Sequence, residues 1–97
     1  MGARFQADGT LLEPEKWSRD MAIALAATVG VTDMADDHWR VIEFARQEFA
    51  DTGHSPNIRR LTEGSGIDTR RLYALFPQAP GRAVARVAGL PKPAGCI

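Results

Sequence analysis

Cys96 is the only thiol in the sequence, and it follows the segment Leu90-Pro91-Lys92-Pro93-Ala94-Gly95. A cysteine thiolate attacks sulfur, forming mixed disulfides or persulfides. With no second cysteine in the chain, any such chemistry of Cys96 is intermolecular. Two prolines fix φ and push Leu90 and Lys92 toward extended conformations, so the spacing predicts a polyproline-type arm rather than a helix or strand. Gly95 supplies a hinge just before the sulfur. A cysteine kept for packing sits more often inside an apolar element, because free cysteine is among the most buried residue types. The plain alternative is a frayed tail with an incidental thiol.

The elements that must position this arm fit one domain, expected over residues 1–89, with a flexible arm over 90–97; 97 residues allow one modest core and no second. No apolar run reaches membrane-spanning length and the start lacks a secretory signal, so a cytoplasmic protein with no membrane partner is expected. Only His38 and His54 could join Cys96 as soft metal ligands, at no recognisable spacing, so neither metal nor cofactor is expected. No nucleophile–base pair or phosphate-cradling glycine loop is visible, and both histidines read as structural or exposed. The net charge of zero conceals a division. Residues 1–53 carry five bases against ten acids, and residues 54–97 carry seven bases against two acids. The thiol therefore belongs to the electropositive half, suited to an acidic protein surface or a nucleic-acid backbone.

Asp8-Gly9 between two short β-capable runs predicts an N-terminal hairpin. Ser18 is a candidate N-cap for an almost wholly apolar helix over 21–29, expected to be the central core helix, with Gly30 at its end. A second helix is predicted over 36–52, with Trp39, Ile42, Ala45, Arg46 and Phe49 inward, Arg40, Glu43, Gln47 and Asp51 wet, and Gly53 as its stop. Ser55-Pro56 reads as the cap and first residue of a third helix, broken by Gly64-Ser65-Gly66. Asp68 caps a fourth, to which Leu72, Tyr73, Leu75 and Phe76 contribute core. Pro80 opens a fifth, with Ala83, Val84 and Val87 as its apolar stripe and Gly89 at its end. The expected fold is all-α with a small β element: an orthogonal bundle of about five short helices.

Leu72-Tyr73-Ala74-Leu75-Phe76-Pro77, then Ala88-Gly89-Leu90-Pro91-Lys92-Pro93, then Gly95-Cys96-Ile97 resemble the DsrC/TusE family of sulfur-relay proteins. Asp8-Gly9, Trp17-Ser18, His38-Trp39 and Ser55-Pro56 fall in the order that family shows. The resemblance implies a carrier that accepts sulfur on Cys96 as a persulfide and passes it on. Its implied donor is a sulfurtransferase complex of the TusBCD or DsrEFH type. Its implied acceptor is a tRNA-thiolating enzyme or, in DsrC proper, dissimilatory sulfite reductase. DsrC proper carries a second cysteine eleven positions earlier for an internal disulfide or trisulfide. That position is Ala85 here, which points to a single-cysteine, TusE-like carrier that serves as cosubstrate. The segment from Glu63 to Thr69 is shorter than usual for the family.

An unperturbed thiol with a pKa of about 8.5 is mostly protonated near neutrality. Arg82, Arg86 and Lys92 are therefore expected either to favour the thiolate, if the arm folds back on the fifth helix, or to dock a partner, with Gly95 adapting the tip. Two other readings stand beside the relay. One keeps the family but has a single-cysteine paralogue docking on a sulfite-reductase or sulfur-oxidation complex, or acting as a regulator. The other takes the helices over 56–63 and 69–75, with Arg59, Arg60, Arg70 and Arg71, as a helix-turn-helix; direct nucleic-acid binding is not the favoured expectation, because it leaves Cys96 idle.

Overall fold

Ser18 opens the first helix, α1 (Arg19–Ala27), by accepting a hydrogen bond from the Met21 N–H at 3.2 Å. The computed structural model describes residues 16–93. The expected N-terminal hairpin lies outside the described residues, as do Gly95 and Cys96. Helix α2 (Asp36–Thr52) has Asp36 and Asp37 in its first turn, where negative charge suits the helix dipole, and stops at Gly53 in the left-handed conformation (φ +78°). Helix α3 (Ile58–Ser65) ends at Gly66, α4 (Thr69–Leu75) starts under the Asp68 side chain, and α5 (Pro80–Ala88) begins with proline at its first turn and ends at Gly89. No strand occurs among the described residues. Among the described residues the architecture is the expected all-α bundle, of five helices.

Helix α5 is the central element, packing against α1, α2 and α3. Seven of its nine residues are buried, Gly81, Ala83, Ala85 and Ala88 among them, and such small side chains let neighbouring backbones approach on several sides. The expectation that α1 would be the central helix is corrected: only Ala22 and Ala26 of α1 are buried, and Ile23 is 48 % exposed. An apolar composition all round does not by itself enclose a helix; α1 buries its two alanines, keeps Met21 and Leu25 half-buried and leaves Ile23 outside. Ile42, Leu61, Leu72 and Phe76 form the centre of the core, fully removed from water, each contributing about 1.5–3 kcal/mol of burial. Tyr73, expected in the core, is 47 % exposed, because α4 is too short to bury more than the Leu72 and Leu75 side.

Three helix ends differ from expectation, the first being that α1 stops at Ala27 with Thr28 as its C-cap, short of the expected Gly30. Asn57, not Ser55, caps α3, its side chain accepting from the Arg60 N–H at 2.9 Å, so Pro56 precedes the helix instead of opening it. Gly64 does not break α3 but sits within it, and the ring of Phe44 occupies the space that a β-carbon would take. Gly64→Ala is expected to lower stability by about 1–3 kcal/mol by forcing that ring aside; equilibrium denaturation measures it, and no loss would show that Phe44 swings clear.

Candidate functional site

The last turn of α5 is held by side chains far away in sequence. The Trp17 indole Nε1–H donates to the Val87 carbonyl at 2.9 Å, and Arg46 Nη1 donates to the Ala88 carbonyl at 2.7 Å. The Arg46 guanidinium lies over the Trp17 ring, 4.3 Å from its centroid, a geometry in which the ring quadrupole attracts the cation. Burial pulls the Arg46 pKa below its ordinary value, though a guanidinium remains charged at any pH the protein meets. Together these groups satisfy carbonyls that a helix terminus otherwise leaves unpaired.

Beyond Gly89 (φ +74°) the chain turns back, and the Leu90 N–H donates to the Ala85 carbonyl at 2.8 Å. Leu90 is 3 % exposed. The Ser55 hydroxyl donates to the Pro91 carbonyl at 2.5 Å, which is the task of this serine in place of helix capping. Pro93 is fully buried. The root of the cysteine-bearing segment is therefore fixed to the domain through Pro93.

Beside this root lies a cavity of about 530 Å³ between the end of α1 and α5. Arg82, Arg86 and Lys92 all line it, so the structure brings together three of the site residues expected from sequence. Arg82 and Arg86 come from one exposed face of α5 by their i,i+4 spacing, and Lys92 comes from the root. The Arg86 Nε–H donates to the Thr28 hydroxyl at 2.9 Å, and that hydroxyl in turn donates to the Leu25 carbonyl at 2.6 Å, so the arginine is aimed from α1. Buried Ala83, Ala85 and Leu90 supply apolar wall. Ala79, just before α5, also lines the cavity and adopts positive φ (+47°), unusual for a residue with a β-carbon. Sequence reasoning missed Trp17, Arg46, Ser55 and Thr28 as positioning residues, since their partners are backbone carbonyls or side chains 36 to 70 positions away.

His38 is structural, as expected. Its Nδ1 accepts the Ala35 N–H at 2.9 Å, which leaves the ring proton on Nε2, donated to the Leu75 carbonyl at 2.9 Å. This ties the first turn of α2 to the end of α4. His54 is exposed. Among the described residues no group of three or more His, Cys, Asp or Glu could hold a metal. On the supposed helix-turn-helix face, Arg60 pairs with Glu48 at 2.9 Å, Arg71 with Asp37 at 3.1 Å and Arg59 with Glu63 at 3.5 Å. Much of that positive charge is answered within the fold.

A small all-α domain that anchors a proline-braced C-terminal segment beside a cationic cavity is the class these features define. A family model described as "DsrC like protein" matches residues 2–97. The gamma subunit of dissimilatory-type sulfite reductase from Nitratidesulfovibrio vulgaris is 33 % identical over 93 % of this chain and 86 % of its own length. The sulfurtransferase TusE of Escherichia coli is 34 % identical, over 93 % of this chain and 88 % of its own. Among solved structures, a crystal structure titled dissimilatory sulfite reductase I (DsrI) superposes with a TM-score of 0.84 at 29 % identity, covering 98 % of this chain and 91 % of that one. The oxidized gamma subunit (DsrC) from Archaeoglobus fulgidus gives 0.79 at 32 % identity, covering 98 % and 92 %. The chain belongs to the DsrC-like family. No helix among the described residues is long and apolar enough to cross a membrane.

Proposed function

We propose that this protein is a sulfur-relay carrier that accepts sulfur as a persulfide on Cys96 from a TusBCD- or DsrEFH-type sulfurtransferase and passes it to an acceptor enzyme, as in tRNA thiolation. The observation that carries the reading is the pairing of family membership across 2–97 with a cysteine three residues beyond the buried Pro93. In the step itself the Cys96 thiolate attacks the outer sulfur of the donor's persulfide. The donor's S–S bond breaks, the donor leaves as a thiolate, and Cys96 holds the sulfur with no net change in oxidation level. Handing the sulfur on repeats the same exchange in reverse.

Ala85 favours the single-thiol version of this role. The resemblance places the second thiol of DsrC proper at that position, and here a buried methyl lines the cavity instead. An internal trisulfide therefore has no second sulfur to close on. The reading is tested by intact-mass spectrometry of the reduced chain after incubation with polysulfide, alongside Cys96→Ser. The expected result is gain of mass in sulfur-atom steps, reversed by reductant and abolished in the serine variant. No gain with an accessible thiol would overturn the carrier role.

A further inference from the structure

The geometry points to the cavity between α1 and α5 as the docking site for an acidic, partly apolar segment protruding from the protein that charges Cys96; this rests on the carrier reading above. Three observations lead there. First, the thiol has little reach. Pro93 is buried, and the three residues from it to Cys96 span at most ~11 Å when fully extended. A donor that takes the sulfur atom into its own active site must press against the surface around Lys92 and Pro93, and that surface contains the cavity mouth.

Second, no carboxylate among the described residues answers the charge there. Arg19, Arg59, Arg60 and Arg71 each lie against a carboxylate elsewhere on the domain. Among the described residues Arg82, Arg86 and Lys92 have no ion pair, and no carboxylate lines the cavity. Three cations converging on one concavity repel one another, and an acidic partner relieves this. Third, the hollow is more than an ion needs. About 530 Å³, open on one side and with Val29, Ala83 and Leu90 in its lining, suits an apolar side chain flanked by carboxylates. Thr28 fixes Arg86 in advance, so less freedom is lost on docking.

The test compares two routes of loading. The wild type, Arg82→Gln/Arg86→Gln and Arg82→Glu/Arg86→Glu are charged either by polysulfide, which needs no docking, or by the persulfide-loaded TusBCD complex of Escherichia coli, and rates are followed by mass spectrometry across a salt series. Charge removal is expected to slow the protein-donor route several-fold, and charge reversal to slow it at least tenfold, with the salt dependence of the wild type flattened. Polysulfide loading is expected to stay within twofold. Equal slowing of both routes would overturn docking in favour of a direct effect of the arginines on the thiol. Unchanged transfer from the protein donor, or a wild type charged by polysulfide but not by the complex, would overturn it while leaving the carrier role intact. Loss of tRNA binding in these variants with donor transfer unchanged would replace it with a nucleic-acid surface. Failure of polysulfide to charge even the wild type would instead remove the carrier reading beneath it.

Discussion

Phe76→Ala is expected to lower the free energy of unfolding by about 3–5 kcal/mol, a large share of the 5–15 kcal/mol that holds a domain of this size together. Phe76 is fully buried where α4 gives way to the loop before α5. Its ring meets the His38 imidazole edge-on, with centroids 5.1 Å apart. Truncation removes the largest fully buried apolar side chain among the described residues and leaves a void beside a histidine whose two ring nitrogens are already committed to Ala35 and Leu75. That histidine cannot move into the gap without giving up both bonds. Denaturant titration at unchanged m-value, or a melting midpoint lower by about 15 °C or more, measures the effect. A loss under about 1.5 kcal/mol would show that α4 closes over the space.

Ala85→Cys is expected to convert a chain whose oxidation is intermolecular into one that closes on itself. The Ala85 side chain lines the same cavity as Lys92, and Cys96 lies four residues beyond Lys92, so the root of the segment and the new thiol share one concavity. Mild oxidation of the dilute variant is expected to give a monomer two hydrogens lighter with neither thiol alkylatable, where the unaltered chain gives only a Cys96-linked dimer. Sulfur uptake by the oxidised variant is expected to vanish and to return on reduction. Persistence of the dimer alone would mean that the tether from Pro93 cannot bring the two sulfurs within the narrow separation a disulfide tolerates. Alanine to cysteine adds one atom at a buried site, so the reduced variant should lose no more than about 1–3 kcal/mol even if the extra volume is poorly accommodated.

Local signals were legible where a residue's role is decided by its neighbours in sequence. The acids and Gly53 bracketed α2, Asp68 capped α4, and Pro80 and Gly89 bounded α5, because caps and stops act within one turn. Misreadings arose where tertiary packing chose between equally plausible roles. Ser55 before Pro56 has the form of a cap, yet its hydroxyl is taken by Pro91, 36 positions away. Gly64 has the form of a helix stop, yet it is kept in the helix by the Phe44 ring above it. Helix α1 has the composition of a core helix, yet the small-residue surface of α5 took that place. For the site, Arg82 and Arg86 could be paired from their spacing alone. Their meeting with Lys92 and Thr28 could not, since it depends on how α1 crosses α5.

The three-residue tether has a kinetic corollary. Because the sulfur atom can be offered only close to Pro93, two proteins that each engulf it must stand in the same place. In the proposed carrier role donor and acceptor would therefore exclude one another, and relay would proceed by turn-taking: the charged form would have to leave the first enzyme before it meets the second. Double-reciprocal plots of the overall transfer against this protein's two partners would then run parallel, and an excess of either partner would inhibit by occupying the carrier in its unproductive state.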